Sequence, residues 1–309
     1  MPELPEVETT VRDLRPHLVG HAITAAAVHW RRTIAQPSMR VFTREIVGYR
    51  IREINRRGKY LVFVLEATEG GRPQTDNRPT GTLASRRAAE PPSDYTTSQP
   101  SDDPTRYLLV HLRMTGGFRF HQPEEKRDKH VHVALQLDDG RELRFRDPRK
   151  FGRMWLVNDP EIVTGKLGPE PFEITKKEFA QRIRQHKGRI KPLLLNQSFI
   201  AGVGNIYADE SLWYARIHPL REVSTLSDAE IGVLYTAIRR VLKKAIGVGG
   251  TSIDITYKRI NGMSGQFQED LRAVGRTGEP CYRCGTPIIK TVVGQRGTHY
   301  CPNCQKLDG

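Results

Sequence analysis

The 309-residue chain lacks several features that would assign it to common protein classes. It has no apolar run near the roughly 20 residues needed to cross a bilayer, and no basic stretch followed by an apolar one, as in a secretory signal. Acidic residues are few, 35 against 49 lysines and arginines, and the formal charge is +14. These absences favour a soluble, intracellular protein with a polyanionic partner. Nucleic acid is a simpler choice than an anionic membrane.

Cysteine is scarce as well, and all four cysteines lie near the C-terminus as Cys281-x2-Cys284-x16-Cys301-x2-Cys304. This spacing is typical of a tetrahedral four-thiolate zinc site. The alternative, two disulfides, needs an oxidising compartment that nothing else in the sequence indicates. We therefore expect one structural Zn²⁺, which would stabilise a module too small for a core of its own.

Two short strands, Ile288–Val293 and Thr298–Tyr300, are predicted between the cysteine pairs. They flank Gly294-Gln295-Arg296-Gly297. The pattern predicts a zinc-supported hairpin with Arg296 at its tip.

The chain begins Met-Pro-Glu-Leu-Pro-Glu, which places Pro2 beside a carboxylate. Loss of Met1 would free the imino group of Pro2. An N-terminal amine (pKa about 8) is neutral at pH 7 far more often than lysine (about 10.4), and is therefore the better carbonyl nucleophile. Apolar residues from Val7 to Leu18, at helical spacing, predict an amphipathic helix with Pro5 in its first turn. Glu6 also fits a purely structural role there, because the helix dipole favours anions at this end.

The first half of the chain after this helix is rich in short, partly alternating β segments. They are Ile23–Trp30, Ile46–Ile54, Lys59–Leu65, Tyr107–Leu112, His130–Leu137 and Glu142–Arg146. Their natural assembly is an antiparallel sandwich or barrel, with a hairpin turn at Asp139-Gly140. Residues 68–105 are rich in Pro, Ser, Thr, Asp and Arg, and predict a disordered insertion between two strands.

From about Thr175 the pattern becomes helical. The clearest helix begins at the capping box Ser227-Asp228-Ala229-Glu230 and ends at Gly247. Two shorter helices, Ile190–Asn196 and Asn205–Ala215, flank Ala201-Gly202-Val203-Gly204. These glycines either let the backbone approach a phosphate or simply form a turn.

Six separated stretches stand out in the sequence. They are PELPEVET at the start, HLRMTG (111–116), DPRKFG (147–152), LGPEP (167–171), GVGNIYA (202–208) and the four-cysteine module. Together they resemble the formamidopyrimidine-DNA glycosylases. They occur in the family's order and cover nearly the whole chain apart from the insertion.

The resemblance implies an α+β fold in four parts. They are an N-terminal antiparallel β-sandwich with an N-terminal helix (2–160), a linker (161–174), a helix-two-turn-helix domain (175–272) and a zinc-finger hairpin (273–309).

The resemblance also implies a bacterial base-excision repair enzyme, both DNA glycosylase and AP lyase, that removes oxidised purines such as 8-oxoguanine and formamidopyrimidines. Pro2 would attack C1′ of the damaged nucleotide, expel the base and form a Schiff base. A β,δ-elimination would then cut the strand. Glu3 would stabilise the developing positive charge or move protons, and Glu6 would shape the field around it.

Extrusion of the damaged nucleotide leaves a gap in the stack. The resemblance assigns this gap to Met114 and Phe151 as apolar wedges and to Arg149 as a donor to the unpaired cytosine. Without the resemblance, Met114 and Phe151 would be taken for core residues and Arg149 for a general phosphate contact.

Five further residues match positions that contact DNA in the family that this sequence resembles. Lys59, Asn205 and Arg296 match residues that grip phosphates, and Lys191 matches a lysine that lines the pocket. His130 is a weaker match, because a histidine in an alternating strand is as often structural.

The stretch Thr251–Gln268 corresponds to a mobile segment that closes over the extruded base, and it has few apolar anchors. Its part Asp254–Arg259 matches the family poorly, which leaves the lesion preference open.

The resemblance implies damaged double-stranded DNA as the partner of a monomer in the bacterial cytoplasm, associated with the nucleoid, with no protein partner. Two alternatives stay open. An endonuclease VIII-type enzyme for oxidised pyrimidines shares the proline chemistry, but typically has Gly where this chain has Leu4. A zinc-ribbon protein that binds DNA without catalysis would explain the charge and the cysteines alone.

Overall fold

The computed structural model describes residues 2–68, 105–252 and 257–307. The predicted insertion falls outside these ranges except for its end residues, and both of these belong to the fold. The backbone N–H of Thr68 donates to Gly48 O at 2.9 Å, and Thr105 is paired with Glu66 in a sheet. Every helix in the described ranges is too short or too polar to span a membrane.

Two sheets form the first half of the chain. Their strands are β1 (Ile23–Val28), β2 (Ile34–Gln36), β3 (Tyr49–Arg57), β4 (Tyr60–Ala67), β5 (Thr105–His111), β6 (Gly117–His121), β7 (Val131–Leu137), β8 (Glu142–Arg146) and β9 (Arg153–Val157). One sheet has the order β1-β7-β8-β6 and the other β2-β9-β5-β4-β3. The predicted α+β fold is confirmed. Among the described strands of these two sheets, every pairing is antiparallel except that of β2 with β9, which is parallel. Strands β2, β6 and β9 were not predicted, because their apolar runs are short.

The helical half contains α4 (Lys176–Arg184), α5 (Ile190–Leu195), α6 (Asn205–Ala215) and α7 (Asp228–Gly247). Short helices α2 (Met39–Glu45) and α3 (Glu161–Thr164) accompany the sheets. The capping box that begins α7 is formed as predicted, with Ser227 Oγ accepting from Glu230 N. A second capping box, from Thr175 to Glu178, begins α4.

Helix α1 (Leu4–Leu18) joins two hydrophobic cores. Val7, Val11 and Leu14 are buried in the core between the sheets, whereas Leu4 is buried in the core of the helical half. The first turn of α1, and with it the predicted nucleophile, therefore lies where the two cores meet.

The C-terminal hairpin consists of β10 (Ile289–Val293) and β11 (Arg296–Tyr300). Gly294 and Gln295 form the turn with φ of 56° and 61°, as two-residue hairpin turns of type I′ require. The prediction that Arg296 lies at the tip was wrong. Arg296 is the first residue of β11 and pairs with Val293, because the tight turn needs only two residues.

Candidate active site

Glu3 is held at the N-terminus of α6. Its Oε1 accepts the backbone N–H of Ile206 at 3.0 Å, and its Oε2 lies 3.5 Å from the N–H of Tyr207. Pro2, the preceding residue, is buried at the same place. Burial raises the pKa of the Glu3 carboxyl to about 6, against the attraction of the Lys59 ammonium. The sequence predicted Glu3 beside Pro2, and the structure adds that free helix N–H groups bind its carboxylate.

Gly204 leaves the space that Glu3 occupies. A Cβ on Gly204 would lie 2.3 Å from Glu3 Cδ, and one on Gly202 would lie 2.6 Å from Leu4 Cδ1. The backbone N–H of Leu4 donates to Gly202 O at 3.0 Å. The glycines of this loop therefore allow a close approach of the chain start, which is a more specific role than the turn or phosphate loop predicted from sequence.

Glu6 is buried and bound by donors from three parts of the chain. It accepts the N–H of Glu3 at 2.8 Å, the N–H of Thr251 at 2.7 Å and the hydroxyl of Tyr207. Burial raises the pKa of Glu6, and the Tyr207 hydrogen bond opposes the rise. These contacts make Glu6 a support for Glu3 and for the start of the segment after α7.

Lys59 lies in the turn between β3 and β4 and is only 6% exposed. Burial lowers the pKa of Lys59, and the Arg296 guanidinium lowers it further. The carboxylates of Glu3 and Glu6 raise the pKa and so oppose this shift. The structure therefore brings together four of the residues predicted around Pro2, namely Glu3, Glu6, Lys59 and Arg296. Arg296 is exposed and lies at the edge of this group.

Glu170, from the LGPEP stretch, fixes the turn that carries Lys59. Its Oε1 accepts the backbone N–H of Gly58 at 2.6 Å. Its two oxygens also pair with Arg56 at 2.6 Å and Arg57 at 3.1 Å. The side chain is 5% exposed, so this buried network ties the linker region to the site.

His111 is a residue of this site that sequence reasoning missed. Burial, together with the Arg113 and Lys59 cations, lowers its pKa to about 3. Its Nδ1 accepts the backbone N–H of Arg113 at 3.0 Å. The ring is therefore neutral at pH 7 and carries its proton on Nε2. Its position at the start of HLRMTG is the one feature of the sequence that could have indicated a role for His111. Its place next to Lys59 follows only from the sheet pairing of His111 with Tyr60.

The three predicted gap-filling residues lie on two neighbouring loops. Met114 follows β5, and Arg149 and Phe151 lie between β8 and β9. Phe151 is 47% exposed, with the Arg149 guanidinium 5.1 Å from its ring centre. An exposed phenylalanine on a loop is available to a partner, whereas the composition alone indicated a core residue.

His130 precedes β7 and does not lie within the strand as predicted, because β7 begins at Val131. Its Nδ1 is 3.2 Å from Asp128 Oδ1 and 3.2 Å from an Arg146 nitrogen. It is half-buried, and its DNA contact stays a prediction.

The place of Lys191 in the lesion pocket stays a prediction. Its side chain is fully buried, with Nζ 2.6 Å from Asp209 Oδ1. The predicted phosphate contact Asn205 is half-buried, and its Nδ2 donates to Gly297 O at 3.0 Å. Both residues contact the zinc hairpin, so in this structure they position β11.

The segment after α7 is better anchored than predicted. Phe267 is buried, and Tyr257 is 8% exposed. Arg259 forms a two-pronged ion pair with Asp13 of α1, with distances of 2.7 and 3.0 Å. Residues 253–256, which include part of the poorly matched stretch, lie outside the described residues.

The four cysteines converge as the spacing predicted. They carry no disulfide, so that alternative was wrong, and their Sγ atoms all lie within 4.8 Å of one another. Four sulfurs at about 2.3 Å from a tetrahedral Zn²⁺ would be roughly 3.8 Å apart. The Sγ separations of Cys284 from Cys301 and Cys304, 3.5 and 3.4 Å, are close to this value. The donor set fits one structural Zn²⁺ and leaves no ligand position for a substrate.

Three family models match the chain. They are the formamidopyrimidine-DNA glycosylase N-terminal domain over residues 1–154, the H2TH domain of the same glycosylases over 167–257, and a zinc finger found in FPG and IleRS over 278–307.

Curated relatives match over the full length. The chain is 43% identical to a formamidopyrimidine-DNA glycosylase of Enterococcus faecalis, covering 100% of this chain and 99% of the relative. It is 44% identical to one of Herpetosiphon aurantiacus, covering 99% and 100%.

Solved structures agree with this. A complex of Lactococcus lactis Fpg with DNA containing an abasic site superposes with a TM-score of 0.80 at 35% identity, covering 98% of this chain and 99% of that one. A complex of MutM with DNA containing carbocyclic 8-oxo-G gives 0.80 at 35% identity, covering 99% and 100%.

Proposed function

The chain belongs to the formamidopyrimidine-DNA glycosylase family, and we propose that it removes oxidised purines from duplex DNA through Pro2 and then cuts the strand as an AP lyase. The observation that carries the proposal is the position of Glu3. Its buried carboxylate lies beside Pro2, on free N–H groups of α6 and within the field of Lys59. A buried carboxylate with a pKa near neutrality is the kind of group that moves protons in catalysis.

The first step is attack by the Pro2 imino nitrogen, freed by loss of Met1, on C1′ of the damaged nucleotide. The C1′–N bond to the base breaks, and the base leaves with its electron pair. Glu3 as carboxylate accepts the proton that Pro2 loses when the N–C1′ bond forms. Opening of the C1′–O4′ bond then gives the iminium, and O4′ takes up a proton.

The second step is elimination from the iminium, which acidifies the hydrogens on C2′. Removal of one C2′ proton expels the 3′ phosphate, and removal of the C4′ proton of the resulting conjugated iminium expels the 5′ phosphate. Arg296 and the neutral N–H of His111 both lie close to the Lys59 ammonium. These three groups can bind phosphate oxygens as negative charge develops on them.

The space left by the extruded nucleotide, and the base opposite it, are contacted by Met114, Arg149 and Phe151. The two apolar side chains occupy the space of the extruded nucleotide, and Arg149 donates to the base left without a partner. Unstacking costs a few kcal/mol, so contacts of this kind are needed to hold the open state.

Borohydride trapping tests the proposal. Reduction should link the active protein to oxidised duplex through Pro2, whereas Pro2→Gly or protein that keeps Met1 should trap poorly. A protein with no adduct under any condition would be the non-catalytic zinc-ribbon alternative. Faster excision of oxidised pyrimidines than of oxidised purines would support the endonuclease VIII alternative.

A further inference from the structure

Asp147 is a fully buried carboxylate that takes part in none of the ion pairs among the described residues. Its hydrogen bonds go to the two loops that carry Met114, Arg149 and Phe151. Oδ1 accepts the Thr115 hydroxyl and the backbone N–H of Arg149 at 3.3 Å. Oδ2 accepts the backbone N–H of Gly152 at 2.6 Å. A buried carboxylate without a cation depends on such donors.

Thr115 adds a direct link between the loops. The backbone N–H of Arg149 lies 3.2 Å from Thr115 Oγ1 as well as 3.3 Å from Asp147 Oδ1. One hydroxyl therefore donates to Asp147 and accepts from the backbone of the facing loop. Removing this hydroxyl would remove both of these hydrogen bonds between the loop of Met114 and the loop of Phe151.

The main chain of Asp147 is fixed to the sheet on the other side. Its N–H donates to His130 O at 2.9 Å, and its carbonyl lies 2.8 Å from His132 Nε2. The carboxylate is therefore a fixed anchor on β7 and β8, from which both loops are held.

Both loops need such an anchor because of their backbone. Arg113 and Lys150 have φ of 57° and 60°, a left-handed conformation that non-glycine residues adopt only with support from their surroundings. Arg113 directly precedes Met114, and Lys150 lies between Arg149 and Phe151. The exposed Phe151 ring has little packing of its own to fix it.

We propose that Asp147, through Thr115, is a positioning residue that sets the spacing between the Met114 wedge and the Arg149–Phe151 wedge, and so controls extrusion of the damaged nucleotide. The inference rests on the proposed function, because it assigns the gap to these three side chains. It predicts a defect in opening the duplex and not in the chemistry at Pro2.

The test compares two substrates that differ in their need for extrusion of an intact base. Thr115→Val removes the hydroxyl with little change of shape, and Thr115→Ser is the matched control that keeps it. Single-turnover excision from duplex containing 8-oxoguanine is measured beside borohydride trapping on single-stranded DNA with a preformed abasic site. A 2-aminopurine next to the lesion reports unstacking.

We expect Thr115→Val to slow excision about tenfold, the size that loss of one hydrogen bond to a charged group gives. It should reduce the 2-aminopurine signal, change trapping less than twofold, and be rescued by Thr115→Ser. Asp147→Asn should likewise slow excision while leaving trapping nearly unchanged. Equal losses on both substrates, as partial unfolding would cause, or no loss on either, would overturn the inference. Absence of trapping by the unmodified protein would instead contradict the proposed chemistry at Pro2.

Discussion

Lys191 Nζ lies 2.6 Å from Asp209 Oδ1, and both side chains are fully buried. Lys191 also donates to Gly297 O at 3.0 Å and to Thr298 Oγ1 at 2.7 Å. Asp209 Oδ2 accepts the backbone N–H of His299 at 2.9 Å. One ion pair between α5 and α6 therefore fixes three consecutive residues of β11, next to Arg296.

Asp209→Asn should destabilise the protein strongly, because it leaves the Lys191 ammonium buried without its counter-charge. Removal of one partner of a buried pair typically costs about 3–5 kcal/mol of unfolding free energy. Urea unfolding of both proteins measures this loss of unfolding free energy. The double variant Lys191→Met, Asp209→Leu should recover much of the loss, because it buries no charge. A single variant within about 1 kcal/mol of the unmodified protein would show that the pair is not held as described.

Glu3 predicts a pH dependence of the first chemical step. Its pKa is raised from 4.5 to about 6 by burial, so the carboxyl is protonated below that pH and cannot accept the proton from Pro2. Protonation of Pro2 slows the unmodified protein and Glu3→Gln alike as the pH falls. Below pH 6 the single-turnover trapping rate on an abasic duplex should therefore fall about tenfold more per pH unit in the unmodified protein than in Glu3→Gln. Glu3→Gln should be slow and lack this additional fall, whereas Glu8→Gln, on the same helix, should keep it. The same additional fall in Glu3→Gln would assign it to another group.

Gly204→Ala should displace Glu3, because the new Cβ would lie 2.3 Å from Glu3 Cδ and 2.5 Å from Oε1. A misplacement of about 1 Å in a catalytic group can lower the rate about 100-fold. Excision rates measure this, with binding to a duplex containing a non-reactive abasic analogue as the control for DNA affinity. Gly247→Ala, whose Cβ would meet nothing within 4 Å, is the matched variant and should stay within twofold. A fast Gly204→Ala enzyme would show that Glu3 need not sit on α6.

Arg296→Ala should remove one phosphate contact. The logarithm of the DNA association constant should then depend less steeply on the logarithm of salt concentration, by about 0.9 for duplex DNA. Fluorescence anisotropy over a salt series measures the slope. Arg44→Ala, an exposed arginine on α2 whose partner is Glu45 at 3.5 Å, should leave the slope unchanged. An unchanged slope for Arg296→Ala would remove it from the phosphate-binding residues.

The sequence predicted the features that depend on neighbours in the chain. Helix α7, its capping box and the four-cysteine cluster are confirmed, because spacing and local hydrogen bonds determine them. Glu3 at the start of α1 belongs to the same class.

The features that were missed depend on contacts between distant parts of the chain. The sequence around Lys191 does not indicate that this residue is buried, because its partners Asp209 and the Gly297 carbonyl come from other elements. His111 is placed beside Lys59 only by the pairing of β4 with β5. The buried Asp147 belongs to the DPRKFG stretch, but its hydrogen bond from Thr115 joins two loops that are distant in the sequence.

Removal of the metal should unfold the hairpin and leave the rest of the fold. Trp213 of α6 is 4% exposed and packs against Cys281, Cys301 and Ile288, so its fluorescence reports on this module. A chelator with a thiol reagent should release one zinc per chain, shift the Trp213 emission to longer wavelength and weaken DNA binding, because Arg296 loses its support. Far-UV circular dichroism should change little, and Trp213→Phe should abolish the emission shift but not the zinc release. Full DNA affinity after zinc loss would contradict a supporting role for the metal.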